Sequence, residues 1–172
     1  MIISIPIIIC DCIPKTVCFW LECTVSSEIY GVIDALLKDE ATSFDSTKWN
    51  NYGCTTSYSD NGTTLSYGTD YRYQPKYDID DGLCLEFDIN IPSTVTGNPQ
   101  LYIKGFTPYF SQEWFPRDVW HHIKITCQNG RCDLYSDGEL KIGGAYNTQN
   151  KNFQFRVTNS ELTFKNFCIY PI

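Results

Sequence analysis

Histidine and methionine are scarce in this chain, with two of the first and one of the second among 172 residues. The only histidines, His121 and His122, are adjacent. On a strand they point to opposite faces, so they cannot act together as a metal-ligand pair. No G-x-S-x-G elbow, P-loop or dinucleotide fingerprint appears, which removes the commonest hydrolase and nucleotide chemistries. Basic runs are also missing. With 20 acids against 13 bases the formal net charge is −7. Such a surface repels a phosphate backbone and gives an anionic membrane nothing to hold, so nucleic acid is not an expected partner. The apolar stretch from Ile2 to Cys10 is too short to span a bilayer. It also lacks the basic flank and small-residue cleavage site of a secretory signal. The expectation is therefore no membrane span and synthesis in the cytoplasm. The chain then reaches a virion or other extracellular surface by assembly or lysis.

What the chain has in quantity is aromatic and β-branched residues. Twelve Tyr, ten Phe and four Trp make up 15% of it, a composition that favours strands. Nine cysteines are an odd number, so at least one thiol stays free or pairs between chains. Cys10, Cys12, Cys18 and Cys23 are spaced unlike the common zinc sites. As small buried hydrophobes they need no metal.

Residues 1–38 differ in texture from the rest. Apolar runs give way to "SSEIYGVIDALLKDE", where Ser26 or Ser27 caps a short helix bearing Ile29, Val32, Ile33, Leu36 and Leu37, or where a strand begins. From residue 39 short alternating segments are separated by turn signals, the pattern of a sandwich or barrel. Asp60-Asn61-Gly62 marks one hairpin. Leu83, Leu85, Phe87, Ile89 and Ile91 alternate with Cys84, Glu86, Asp88 and Asn90, the period of a strand buried on one side. Asn129-Gly130 and Asp137-Gly138 mark two further tight turns. Across the first, Cys127 and Cys132 fall in a non-hydrogen-bonded pair, where Cα atoms lie about 4.5 Å apart. A cross-strand disulfide is feasible there, and so is the packing of two apolar thiols.

The run "VWHHIKITCQNGRCDLYSDGEL", with the long strand "DDGLCLEFDIN" before it and "LTFKNFCIYPI" after it, resembles the laminin-G-like and concanavalin A-like jelly rolls. The resemblance covers about residues 36–172. It implies an all-β antiparallel sandwich over 39–172 with residues 1–38 as a short N-terminal appendage. Families of this fold include sugar-binding and adhesion modules, glycoside hydrolases and components of viral particles.

Laminarinase-type members carry their acids as E-x-D-x-E or E-x-D-x-x-E on one strand. Here Glu86 and Asp88 are present, but Asn90 or Ile91 stands where the proton donor belongs. An amide cannot donate and regain a proton near neutral pH, so no catalytic residue is assigned. Non-enzymatic recognition is expected instead, with a carbohydrate-active enzyme or a ligand-free shell or tail protein as alternatives. Sugar faces stack on aromatic rings while carboxylates take the hydroxyls. The candidate ligand-binding residues are Tyr71, Tyr73, Tyr109, Trp114, Glu86 and Asp88, with Tyr67, Tyr77, Phe110 and Phe115 in the same two aromatic runs. Trp120 reads as core. Asp78, Asp80 and Asp81 form an acidic loop of the kind that binds calcium, the one cofactor considered. The expected partners are a glycan or cell-surface receptor, and neighbouring virion or self subunits docked through residues 1–38 in a homo-oligomer.

Overall fold

The computed structural model describes residues 35–67 and 72–172. The docking role of residues 1–38 lies, up to residue 34, outside the described residues, as does Tyr71. Among those described there are twelve strands and no helix.

In chain order the strands are β1 (Leu37–Asp39), β2 (Trp49–Tyr52), β3 (Thr55–Ser59), β4 (Gly62–Ser66), β5 (Arg72–Pro75), β6 (Leu83–Asn90), β7 (Gln100–Ile103), β8 (Trp120–Gln128), β9 (Arg131–Ser136), β10 (Glu139–Ala145), β11 (Phe153–Arg156) and β12 (Glu161–Pro171). The larger sheet runs β10-β9-β8-β6-β12-β4-β3, with β1 also paired to β12. The smaller runs β2-β5-β11-β7. All strand pairs are antiparallel. The sandwich expected from the alternation is the architecture observed. It takes in Leu37 and Lys38, because β1 pairs with β12 through Leu37 opposite Ile169. Leu37, read as the end of a helix or as strand, is strand.

The gap between the sheets is filled by rings. Phe87 of β6 lies edge-on to Phe153 and Phe155 of β11 and stacks on Phe167 of β12. Trp49 stacks on Tyr73 at 5.0 Å and meets Phe164 and Phe167. Leu85, Phe87 and Ile89 are fully buried, while Glu86, Asp88 and Asn90 on the opposite face are only partly covered. The period of two in the sequence therefore divides β6 between core and surface. Cys84 departs from it, being buried on the outer side.

The turns obey their local chemistry. Asn129 and Gly130 have φ of 54° and 74°, and Asp137 and Gly138 have 53° and 84°. Two successive left-handed residues close a two-residue hairpin whose twist matches that of its strands. The first hairpin sets Cys127 opposite Cys132 with both thiols buried and free and their sulfurs 2.6 Å apart. The hydrogen bond with Cys132, and then burial, hold the Cys127 thiol well above the ordinary thiol range. Under mild oxidation the pair is expected to close into a disulfide without a change of register. Peptide mapping by mass spectrometry would show the two-hydrogen loss in the Cys127–Cys132 peptide. The denaturation midpoint should rise by the equivalent of about 2 kcal/mol for so short a loop.

β12 contains a bulge. Lys165 is opposite Asp88 and Cys168 opposite Glu86, so two residues of β12, Asn166 and Phe167, face the single Phe87. Asn166 takes φ of 54°, a left-handed conformation that Asn tolerates better than most residues. The bulge lets Phe167 enter the core and turns Asn166 outward.

Candidate functional site

The outer face of the larger sheet gathers the polar side chains. Pairing of β6 with β8 sets Glu86 opposite Lys124, Asp88 opposite His122 and Asn90 opposite Trp120. Pairing of β6 with β12 sets Cys84 opposite Tyr170, Glu86 opposite Cys168, Asp88 opposite Lys165 and Asn90 opposite Thr163. Three neighbouring strands thus supply one patch, because cross-strand neighbours share a face.

Within the patch the carboxylates are tied together. His122 Nδ1 is 2.9 Å from Asp88 Oδ1, and its Nε2 is 3.9 Å from Glu86 Oε2. Asn166, delivered by the bulge, donates from Nδ2 to Asp88 Oδ2 at 2.7 Å. Lys124 Nζ is 3.4 Å from Glu86 Oε1, and the Tyr170 hydroxyl donates to that same oxygen. Burial, reinforced by hydrogen bonds with Cys84 and Glu86, raises the Tyr170 phenol far above its usual range, which keeps it a donor. Burial also pushes the Cys84 thiol up to about 11. Lys165 Nζ sits 4.1 Å from the Trp120 ring centroid, a cation–π contact on a ring that is 37% exposed.

A second layer of contacts fixes β8. Asp137, in the β9–β10 turn, accepts from the His122 backbone N–H at 2.9 Å and from Ser136 Oγ at 3.0 Å, and its Oδ2 is 3.0 Å from His121 Nδ1. The other ring nitrogen of His121 lies 3.0 Å from the Pro116 carbonyl. Burial works upward on Asp137, but the hydrogen bonds from His121, His122 and Ser136 outweigh it and hold the carboxyl below its usual range. The two histidines do face opposite ways. His121 is buried and structural, and His122 is exposed within the patch.

Other expectations change. Tyr73, read as a surface ring, is core, because β5 lies between β2 and β11 and Tyr73 faces the larger sheet, stacked on Trp49. Phe110 and Phe115 are buried edge to face at 5.0 Å. Trp114 packs partly buried against the core. The loop holding them folds back on β7 through backbone bonds from Phe110 to Pro99 and from Leu101 to Pro108. Tyr109 remains exposed, as does Tyr67, while Tyr77 packs partly buried on the core. Trp120 is on the surface and not in the core, since it shares the parity of His122 and Lys124. The acidic loop is not brought together as a ligand set. Asp80 pairs with Lys151 at 2.8 Å and Asp81 accepts from Tyr146, and these bonds hold both carboxyls low. Asp78 is exposed. Among the described residues no group of three His, Cys, Asp or Glu is arranged to hold a metal ion.

His122, Lys124, Tyr170, Lys165 and Asn166 were not singled out as binding residues from the sequence. The alternation in "WHHIKIT" marks the face of His122 and Lys124 once Ile123 and Ile125 are taken as core. The two from the bulge region leave no such signal. A separate shallow depression of about 510 Å³, lined by Phe44, Asn51, Gly53, Thr56 and Tyr58, holds no charged side chain.

This is the fold of the concanavalin A-like jelly rolls, as solved structures confirm. A carbohydrate-binding module, CBM66 from Bacillus subtilis, aligns over 72% of this chain and 96% of its own at 17% identity, with a TM-score of 0.54. A Bacillus subtilis protein of unknown function with a galectin-like fold aligns over 80% and 96% at 10% identity, TM-score 0.60. A Bacillus licheniformis β-glucanase aligns over 79% and 97% at 12% identity, TM-score 0.56. No protein-family model and no curated protein matches the sequence.

Proposed function

We propose that the protein is a carbohydrate-recognition module that binds a glycan on the outer face of its larger sheet and does not cleave it. One observation carries this reading: Glu86, Asp88, His122, Lys124, Asn166 and Trp120, drawn from three strands, share a single exposed face. Trp120, 37% exposed, offers the part of its ring that Lys165 leaves open to the apolar side of a sugar, and the polar groups beside it offer hydrogen bonds to hydroxyls. The fold's occurrence in a carbohydrate-binding module and a β-glucanase supports the ligand class.

Hydrolysis would need a second carboxyl free to cycle a proton. Asn90 fills the third position of the row, and both Asp88 oxygens are engaged by His122 and Asn166. A glycan array followed by calorimetry on any hit is expected to show binding by the wild type, weakened about tenfold in Trp120→Ala by loss of stacking and buried ring area. Equal binding by Trp120→Ala would move the site elsewhere. Release of reducing ends by the wild type, abolished in Glu86→Gln, would make the protein an enzyme.

A further inference from the structure

Resting on that reading, the geometry points to an acidic saccharide, one carrying a carboxylate or a sulfate, as the ligand of this face. The argument is the depth at which each charge sits. The side chains of Glu86 and Asp88 are 21% and 22% exposed, and those of Lys124 and His122 above them are 40% and 52% exposed. The acids are also occupied, Glu86 Oε1 by Tyr170 and Lys124, Asp88 by His122 and Asn166. What meets a ligand first is the Lys124 ammonium and the His122 ring, over three carboxylate oxygens already engaged, Glu86 Oε1 and both of Asp88. A neutral sugar, whose hydroxyls donate as well as accept, finds few free acceptors there. An anion finds the ammonium groups of Lys124 and Lys165 at the surface of the patch.

Lys165 sharpens the point. Its cross-strand partner is Asp88, the natural place for an ion pair. The bulge puts Asn166 on Asp88 instead, and Lys165 lies over the Trp120 ring. Among the described residues its ammonium is paired with that ring and with no carboxylate. A sugar beside Trp120 that carries an anionic group would place that group against the Lys165 ammonium, and a charge-assisted hydrogen bond is stronger than a neutral one. The two lysines balance the two acids, so the face does not share the formal charge of −7 carried by the whole chain.

Calorimetric titrations with oligogalacturonate, a chondroitin sulfate oligosaccharide and a neutral galactan oligosaccharide of equal length test this. At least one acidic probe should bind about tenfold tighter than the neutral one, the worth of one added hydrogen bond to a charged group. The advantage should shrink as salt is raised and vanish in Lys165→Gln. Equal, Trp120-dependent binding of the neutral probe would overturn the acidic class and leave carbohydrate recognition standing. An acidic preference untouched by Lys165→Gln would overturn the assignment to this residue. Failure of all three probes, together with an empty glycan array, would remove the carbohydrate reading itself.

Discussion

Phe87→Ala is expected to lower the unfolding free energy by about 3–5 kcal/mol, the usual cost of deleting a buried phenyl ring. Phe87 is fully buried at the centre of β6 and touches Phe153, Phe155 and Phe167, which come from both sheets. Its removal takes one neighbour from each of three rings and leaves a void between them. They are held by strands β11 and β12, whose backbone pairing on either side restrains collapse into the space. Denaturant unfolding followed by tryptophan fluorescence measures the effect. A loss below about 1.5 kcal/mol would mean that the core repacks freely, and that the ring cluster is not what binds one sheet to the other.

Gly62→Ala should be nearly as damaging, for a different reason. Gly62 takes φ of 114°, and a Cβ placed there would lie 2.3 Å from the Phe164 carbonyl oxygen of the adjoining β12. That oxygen belongs to the backbone and cannot rotate away. Backbone strain of about 1–3 kcal/mol and an overpacking cost of similar size act together, so a loss of about 3 kcal/mol is expected. Gly138→Ala is the control. Its φ is 84°, but nothing lies within 4 Å of the added carbon, so it pays conformational strain alone, about 1 kcal/mol. Equal losses at the two sites would show that φ governs both and that the approach to β12 is slack.

The parts of the fold written in short-range pattern were legible in the sequence. Alternation in "LCLEFDIN" separated Leu85, Phe87 and Ile89 from Glu86, Asp88 and Asn90. Asn129-Gly130 and Asp137-Gly138 announced turns that need two left-handed residues. Parity alone failed at Trp120 and Tyr73. A single Trp at a strand start, or a Tyr in a short strand, has the same composition whether its face meets the other sheet or water. Those choices depend on which strands become neighbours. The site was half legible for the same reason. Glu86 and Asp88 lie on one strand and could be read together. His122 and Lys165 reach them only through pairings between strands more than 30 residues apart in the chain. The bulge at Asn166 depends on a mismatch in residue count between β6 and β12 that neither segment shows by itself.

The strand that comes last along the chain occupies the middle of the larger sheet. β12 closes against β6 on one side and against β4 and β1 on the other, and Leu37 finds its partner only at Ile169. During synthesis the flanks of β4 and β6 that β12 covers therefore stand open until Glu161–Pro171 has emerged. Bare strand flanks of this kind invite pairing with other nascent chains, and sheets built from such distant partners form slowly. Assembly of this sandwich waits on β12, and its interval of vulnerability is set by the time that strand takes to join β4 and β6.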